Sequence, residues 1–291
     1  MTDLLQLTFS GLTTGAAYAL VALAFAIVFR GTRAINFAQG EYVMVAGVSA
    51  GALHAWLDLP LAVVVAVVIV VGALCGVLTE LVCVRFVRRD DPHTVTLATI
   101  GLGVAIKAVA LILTDRKAYT LPGFSGDTTL HLGGAAVDAQ ALWNCLLVVL
   151  AAGGLAVFLR AVPLGVALRA SADDAEMAAA SGFSRRAAAA WSFGIAGALA
   201  AAAGAGLAAV SPVNYDFGTL LALKGFAAAM LGGLGSMPGA VVGGFAIGLL
   251  EAWFSGYVSS AYADIVAFAV LLVVLFSRPT GIFAAVRVER V

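Results

Sequence analysis

The sequence predicts an all-α integral membrane protein: a polytopic helical bundle of about eight to nine membrane segments, some broken or re-entrant. Three observations carry this. Of 291 residues, 63% are hydrophobic and only 11% charged, against about 25% charged in soluble globular domains. A soluble fold of this size would lack the polar surface to cover itself. The apolar residues also gather into runs near the ~20 residues that a helix needs to cross a bilayer. Finally, the 33 glycines suit helices that approach one another closely in lipid. The whole chain, 1–291, reads as one transmembrane domain with a polar loop at 161–187.

The runs follow in order. The first, 9–29, comes after "MTDLLQLTF", which holds an Asp and no Lys or Arg; it reads as a retained segment, not a cleaved leader. The second, 40–57, is rich in glycine and polar residues. Segments 61–84 and 95–114 are strongly apolar. The stretch 115–140 mixes turn residues with Thr and Val and predicts a short hairpin or a surface helix. Segments 141–159 and 187–210 flank the polar loop. The pair 219–235 and 238–257 is interrupted by glycines and Pro238, and 260–277 closes the series. Nine crossings fit this pattern, as do seven crossings plus a re-entrant pair at 219–257.

Charge orients the segments. With the ends near 30, 85, 160–186 and 278 on one side, that side holds Arg30, Arg33, Arg85, Arg88, Arg89, Arg160, Arg169, Arg185, Arg186, Arg278, Arg287 and Arg290, against Arg116 and Lys117 opposite. The positive-inside rule then places the N-terminus outside and the C-terminus in the cytoplasm. Net charge is zero, so no bulk field attracts nucleic acid. Cys75, Cys83 and Cys145 lie in apolar runs without metal-ligand spacing and read as packing residues. His54, His93 and His131 stand singly, as loop or interface residues.

The polar insert "SADDAEMAAASGFSRR" (171–186) faces the cytoplasm on this orientation. Ser171 with Asp174 resembles a capping box, and Asp173 or Asp174 suits a cap equally well. "AEMAAAS" favours a short helix, Gly182 a stop, and Arg185 and Arg186 follow its negative end. Composition alone fits a solvated connector; the small, flat alanine surface also fits a knob that a partner grips.

Inside the segments, "INFAQGEY" (35–42) puts Asn36, Gln39, Gly40 and Glu41 between two apolar runs. A carboxylate in the bilayer costs roughly 2.5–3.5 kcal/mol on insertion scales, so it should face protein or water. Either Glu41 holds Arg30 or Arg33 at the interface, or this is a broken helix lining a conduit. "LGGLGSMPGAVVGG" (231–244) predicts a break near Gly235, Pro238 and Gly239 that faces an interface or pathway, with close helix packing as the alternative. Lys224 and Glu251 flank it, as lone snorkelling residues or as a pair. Glu80 and Lys107 read as anchors near segment ends.

Glu176, Ala178 and Gly182 form an E-x-A-x-x-x-G spacing that resembles the EAA loop of ABC-importer permeases, with Met177 where an alanine is usual. "GLTTGAAYALVALAFAIVFRGTRAINFAQGEYVMVAG" (11–47), "KGFAAAMLGGLGSMPGAVVGGFAIGLLE" (224–251) and "FSRPTGIF" (276–283) resemble, in order, blocks of the LivH-type branched-chain amino acid permeases. That resemblance implies a bacterial inner-membrane subunit of an importer. Its expected partners are a second homologous permease, two cytoplasmic ATPases and a periplasmic substrate-binding protein. Asp174, Glu176, Ala178, Ala179, Gly182 and Arg185 would form the ATPase-coupling element. The chain has no G-x-x-x-x-G-K-[ST] loop, so no cofactor is expected in it; ATP and Mg would bind the ATPases.

The expected cargo is a hydrophobic, branched-chain amino acid moving past a smooth, mostly apolar wall. Related permeases move urea, short amides or other amino acids. A stand-alone secondary transporter coupled at Glu41, Lys224 or Glu251 is the other class. An intramembrane enzyme finds no support: no Ser/His pair, H-E-x-x-H or paired aspartates stand out.

Overall fold

The computed structural model describes residues 2–87, 92–126, 128–132, 135–180, 182–278 and 280–283. Arg88, Arg89, Arg287 and Arg290, used above for orientation, and Pro279 of the C-terminal motif lie outside the described residues, as does the side chain of Glu176.

Each of the nine expected runs is a helix. They are α1 (Thr2–Thr32), α2 (Gln39–Leu57), α3 (Leu61–Val82), α4 (Pro92–Thr114) and α5 (Ala139–Ala161), then, beyond the polar loop, α8 (Arg185–Ala208), α9 (Phe217–Gly232), α10 (Met237–Tyr257) and α11 (Ala263–Ser277). Among the described residues seven helices are long and apolar enough to cross a membrane; α9 is a shorter apolar helix, and α2 is not among the seven. The polar loop folds as α6 (Pro163–Asp173) and α7 (Ala175–Ala180). The 115–140 stretch makes the hairpin of β1 (Thr129–Leu132) and β2 (Ala135–Asp138), antiparallel with Thr129 opposite Asp138. Asp138 then caps α5 by accepting from the Gln140 N–H at 2.9 Å.

Helices α1 and α8 form the centre. Residues 16–28 of α1 are buried on every side, as an all-round apolar helix should be. Helices α3, α4, α5 and α11 surround them and turn Leu74, Ile112, Leu150 and Val273 outward. This apolar outer belt is the surface that lipid covers.

Glycines set how closely the helices meet. Gly11 and Gly15 of α1 lie against Gly248 and Gly244 of α10. Gly72 and Gly76 of α3 lie against Gly197 and Phe193 of α8; a Cβ on Gly76 would stand 2.0 Å from the Phe193 carbonyl oxygen. Backbone approach of this kind supplies the van der Waals contact that holds helices together in lipid.

The bundle has two ends, one carrying the hairpin and one the arginines. The α9–α10 turn, Gly233–Ser236, sits beside Phe29 near the arginine end of α1. The turn between α9 and α10 therefore lies at the arginine end of the bundle. The C-terminal motif folds back onto this turn. The Ile282 and Phe283 N–H groups donate to Leu231 O and Gly232 O at 3.0 and 3.1 Å, closing carbonyls left open at the end of α9.

Candidate functional site

Two helices begin inside the bundle, not at its surface. Residues 33–38 turn back from the arginine end, and α2 starts where Gln39 Nε2 donates to Ala196 O of α8 at 2.7 Å. Ala196 lies eleven residues into α8, about 16 Å along its axis. After α8 ends, residues 209–216 run inward without helix. Val213 exchanges backbone hydrogen bonds with Tyr119, both 2.9 Å, and packs on Gly47. Helix α9 then starts beside α2, with Gly218 against Gly40. The N-terminal turns of α2 and α9 thus meet within the bundle, and both present the positive ends of their dipoles there.

Glu41 occupies this junction. It is 4% exposed; its Oε1 accepts from the Thr219 hydroxyl at 2.9 Å, and its Oε2 has no hydrogen-bond partner among the described residues. The arginine pairing considered from sequence does not form. Arg30 lies 3.8 Å from Asp173, and Arg33 donates to Ala172 O at 3.1 Å, because both sit at the end of α1 while Glu41 has been carried inward. Beside it, Asn36 donates to Gln39 Oε1 at 3.2 Å and to the Tyr42 hydroxyl at 3.3 Å. Tyr42 donates to Thr79 at 2.6 Å. Asn36 Oδ1 accepts from the Ala38 N–H at 3.1 Å and so ties down the non-helical stretch before α2.

Lys107 of α4 reaches the same depth and forms an ion pair with Asp216, the residue before α9. Their side chains are 32% and 63% exposed. Lys107 is seven residues short of the end of α4, about 10 Å in along the axis, so it is no end anchor. Glu80 departs from that expectation too, being 1% exposed.

A second polar cluster joins four helices. Lys224 of α9 lies 2.5 Å from Glu251 of α10 and 2.6 Å from Asp264 of α11. The Tyr18 hydroxyl of α1 donates to Glu251 at 2.9 Å and accepts from Lys224 at 3.2 Å. Lys224 and Glu251 are therefore a pair and not lone residues. Sequence reasoning missed Tyr18, hidden in an apolar run, and Asp264, near the start of the last segment.

The glycine-rich break is shorter and earlier than expected. It spans Gly233–Ser236, with Gly233 and Gly235 at φ 97° and 88°, which L side chains rarely adopt. Pro238 lies in the first turn of α10, where a missing N–H costs nothing. Gly239 is helical, its N–H held by Ser236 Oγ at 3.2 Å, and it packs against Gly232. The glycines of 231–244 thus serve the turn, the α9–α10 contact and, at Gly244, the contact of α10 with Ala19 of α1.

At the arginine end, α6 and α7 form an exposed elbow. Asp174 Oδ1 accepts from the Met177 N–H at 3.0 Å and is the cap of α7. Ser171 lies within α6, so the capping box is not formed. Gly182 ends α7 at φ 89°, with the Phe183 N–H donating to Ala178 O at 3.0 Å. Met177 is 69% exposed and Ala179 is exposed, as are Gly182 and Arg185. Ala178 turns inward, 6% exposed. Among the described residues, no three His, Cys, Asp or Glu side chains converge as a metal site.

A family model described as "Branched-chain amino acid transport system / permease component" matches residues 7–275. The high-affinity branched-chain amino acid transport system permease protein LivH of Escherichia coli (strain K12) is 33% identical over 99% of this chain and 97% of its own length. The corresponding BraD protein of Pseudomonas aeruginosa is 31% identical over 99% and 98%. A probable branched-chain amino acid transport permease protein LivH of Methanocaldococcus jannaschii is 27% identical over 90% and 87%. No solved structure matches the chain.

Proposed function

Since the chain belongs to the branched-chain amino acid transport permease family, we propose that it forms the translocation pathway for branched-chain amino acids in a binding-protein-dependent importer. It is a multi-pass membrane protein and a transport component, not an enzyme. Separate ATPase subunits supply the energy, a periplasmic binding protein delivers the cargo, and a second permease subunit faces this one across the path. The arginine end lies in the cytoplasm, on the charge asymmetry of the sequence, with the N-terminus outside.

One observation carries the pathway reading. Asp216, at the end of the non-helical segment 209–216, is exposed and Lys107 partly exposed at a depth where lipid would surround them. Exposed charge and irregular backbone persist at that depth only against water or protein. That face is therefore the wall of the conduit. A zwitterionic amino acid passing it meets an ammonium in Lys107 and a carboxylate in Asp216, with the buried Glu41 behind them. Weak, paired contacts of this kind let a cargo leave as readily as it arrives.

The α6–α7 elbow is the coupling element. Asp174 fixes the start of α7 and Gly182 its end. Met177 and Ala179 offer the short rigid surface that an ATPase groove would seat, and Arg185 continues it into α8. Movement of the ATPases would thereby reach α8, whose Ala196 carbonyl anchors Gln39 at the helix junction.

Reconstitution tests this. Vesicles holding this chain, its permease partner and the ATPases should take up leucine only with ATP and binding protein. Uptake by the chain alone on an ion gradient would overturn the reading. A Met177→Cys variant without Cys75, Cys83 and Cys145, expressed without the ATPases, should react with a membrane-impermeant maleimide in inside-out vesicles. Reaction in intact spheroplasts would reverse the orientation.

A further inference from the structure

Between α5 and α10, at the arginine end, lies a cavity of about 910 Å³. Its deep wall is apolar, from Phe29, Ala152, Ala156, Val241 and Val242. Its mouth carries Arg30, Arg33, Arg160 and Arg169 against a single acid, Asp173. Arg30 faces Asp173 at 3.8 Å. Arg160 and Arg169 form no ion pair among the described residues. The pathway assignment uses neither of them; Arg169 lies on α6 of the coupling elbow, but no coupling role is given to its side chain.

The arginines stand at one level. Arg30 is close to the last residue of α1, Arg160 to that of α5, and Arg169 lies on α6 just beyond. This is the headgroup layer, where an arginine is not buried in hydrocarbon. The groove below it opens sideways: Val242 is 50% exposed, and Ala156 is exposed, continuous with the outer belt at Val157, 62% exposed. A cationic mouth above a lateral apolar groove matches a molecule with an anionic head and an acyl tail.

We infer that this cavity is a binding site for an anionic phospholipid, its phosphate held by Arg160 and Arg169 and one acyl chain laid between α5 and α10. Basic pockets between helices at this level select acidic headgroups. A soluble phosphate would use the arginines and leave the groove empty; a zwitterionic lipid would fill the groove and gain less from the arginines. The site requires the arginine end to lie in a headgroup layer but does not depend on transport or on which leaflet that is.

Native mass spectrometry of the delipidated, purified full chain, titrated with phosphatidylglycerol, phosphatidylcholine or glycerol phosphate, reads each case separately. Each interfacial arginine contributes roughly fivefold to affinity. Phosphatidylglycerol should therefore bind on the order of 30-fold more weakly to Arg160→Gln/Arg169→Gln, with phosphatidylcholine unchanged. Ala156→Trp, which fills the groove and leaves every arginine in place, should also lose phosphatidylglycerol. Equal binding of the two lipids by the wild-type chain would overturn the inference. So would glycerol phosphate binding as tightly as the lipid, or Ala156→Trp dissociating a dimer in the same spectra while lipid binding persists.

Discussion

Replacing Lys224 by methionine keeps the length of the side chain and removes its charge. Lys224 is 6% exposed at its side chain, Glu251 15% and Asp264 55%. Removing one partner of a buried pair costs about 3–5 kcal/mol, because the other charge stays buried without its counterion. Asp264 contributes little to that figure, since more than half of it is in contact with solvent, which screens it. Glu251 keeps the Tyr18 hydroxyl at 2.9 Å, which moves the expectation to the lower end, about 3 kcal/mol. Thermal unfolding of the purified protein in detergent should then shift down by on the order of 10 °C. The double variant Lys224→Met/Glu251→Leu removes both charges and restores apolar packing. It should recover more than half of the loss, since an apolar replacement of a buried pair is often close to neutral. A single variant within about 2 °C of wild type, or a double variant as unstable as the two singles combined, would refute the reasoning.

Gly76→Leu should force α3 from α8, because even a Cβ meets the Phe193 carbonyl oxygen at 2.0 Å; overpacking of this kind costs about 1–3 kcal/mol or more, read as a fall in folded yield and melting temperature. Tyr42→Phe removes the 2.6 Å bond to Thr79 and the contact from Asn36. Because Thr79 keeps Cys75 O as acceptor at 2.9 Å, the loss should stay near about 1 kcal/mol by the same melting assay. Lys107→Asp and Asp216→Lys should each reduce leucine uptake at near wild-type stability, since the pair is partly exposed, and the charge-swapped double should regain part of it. Full uptake in both singles would remove the pair from the pathway.

Hydrophobic runs were legible because lipid imposes a length on them, and all nine became helices. Helix ends followed local chemistry as well: Asp174, Ser184 and Asp138 cap where their side chains can reach an N–H two or three residues on. Tertiary depth was not legible. Nothing local in "INFAQGEY" shows that α2 starts some 16 Å below the surface of its neighbour, so the sequence leaves open both an arginine pairing and a broken helix for Glu41, whose partner is Thr219, far along the chain. Lys107 was misplaced for the same reason: its partner, Asp216, belongs to a connection between two apolar runs, and nothing local shows that this connection turns inward. Pro238 misled in the opposite direction. Proline signals a break, but at the first turn of α10 it begins a helix.

The inward starts of α2 and α9 have a shared physical consequence. Two positive dipole ends converge at one depth, a field that hydrocarbon could not solvate, and local turns hold several of their N–H groups, as in Glu41 to Ala38 O and Phe217 to Asn214 O. Glu41 answers part of that field from inside, with Thr219 between the helices. Asp216 answers part from the exposed side and draws Lys107 of the sparsely packed α4 to it. Close approach of Gly40 and Gly218 then excludes lipid tails from the junction itself. What is left is a wall that is sealed on its protein side and polar on its open side. Such a face is stable in a bilayer only against water or further protein. The charge at Lys107 and Asp216 is therefore an argument for assembly as much as for transport: the same exposed pair that would greet a zwitterion makes a lone copy of this chain poorly matched to lipid.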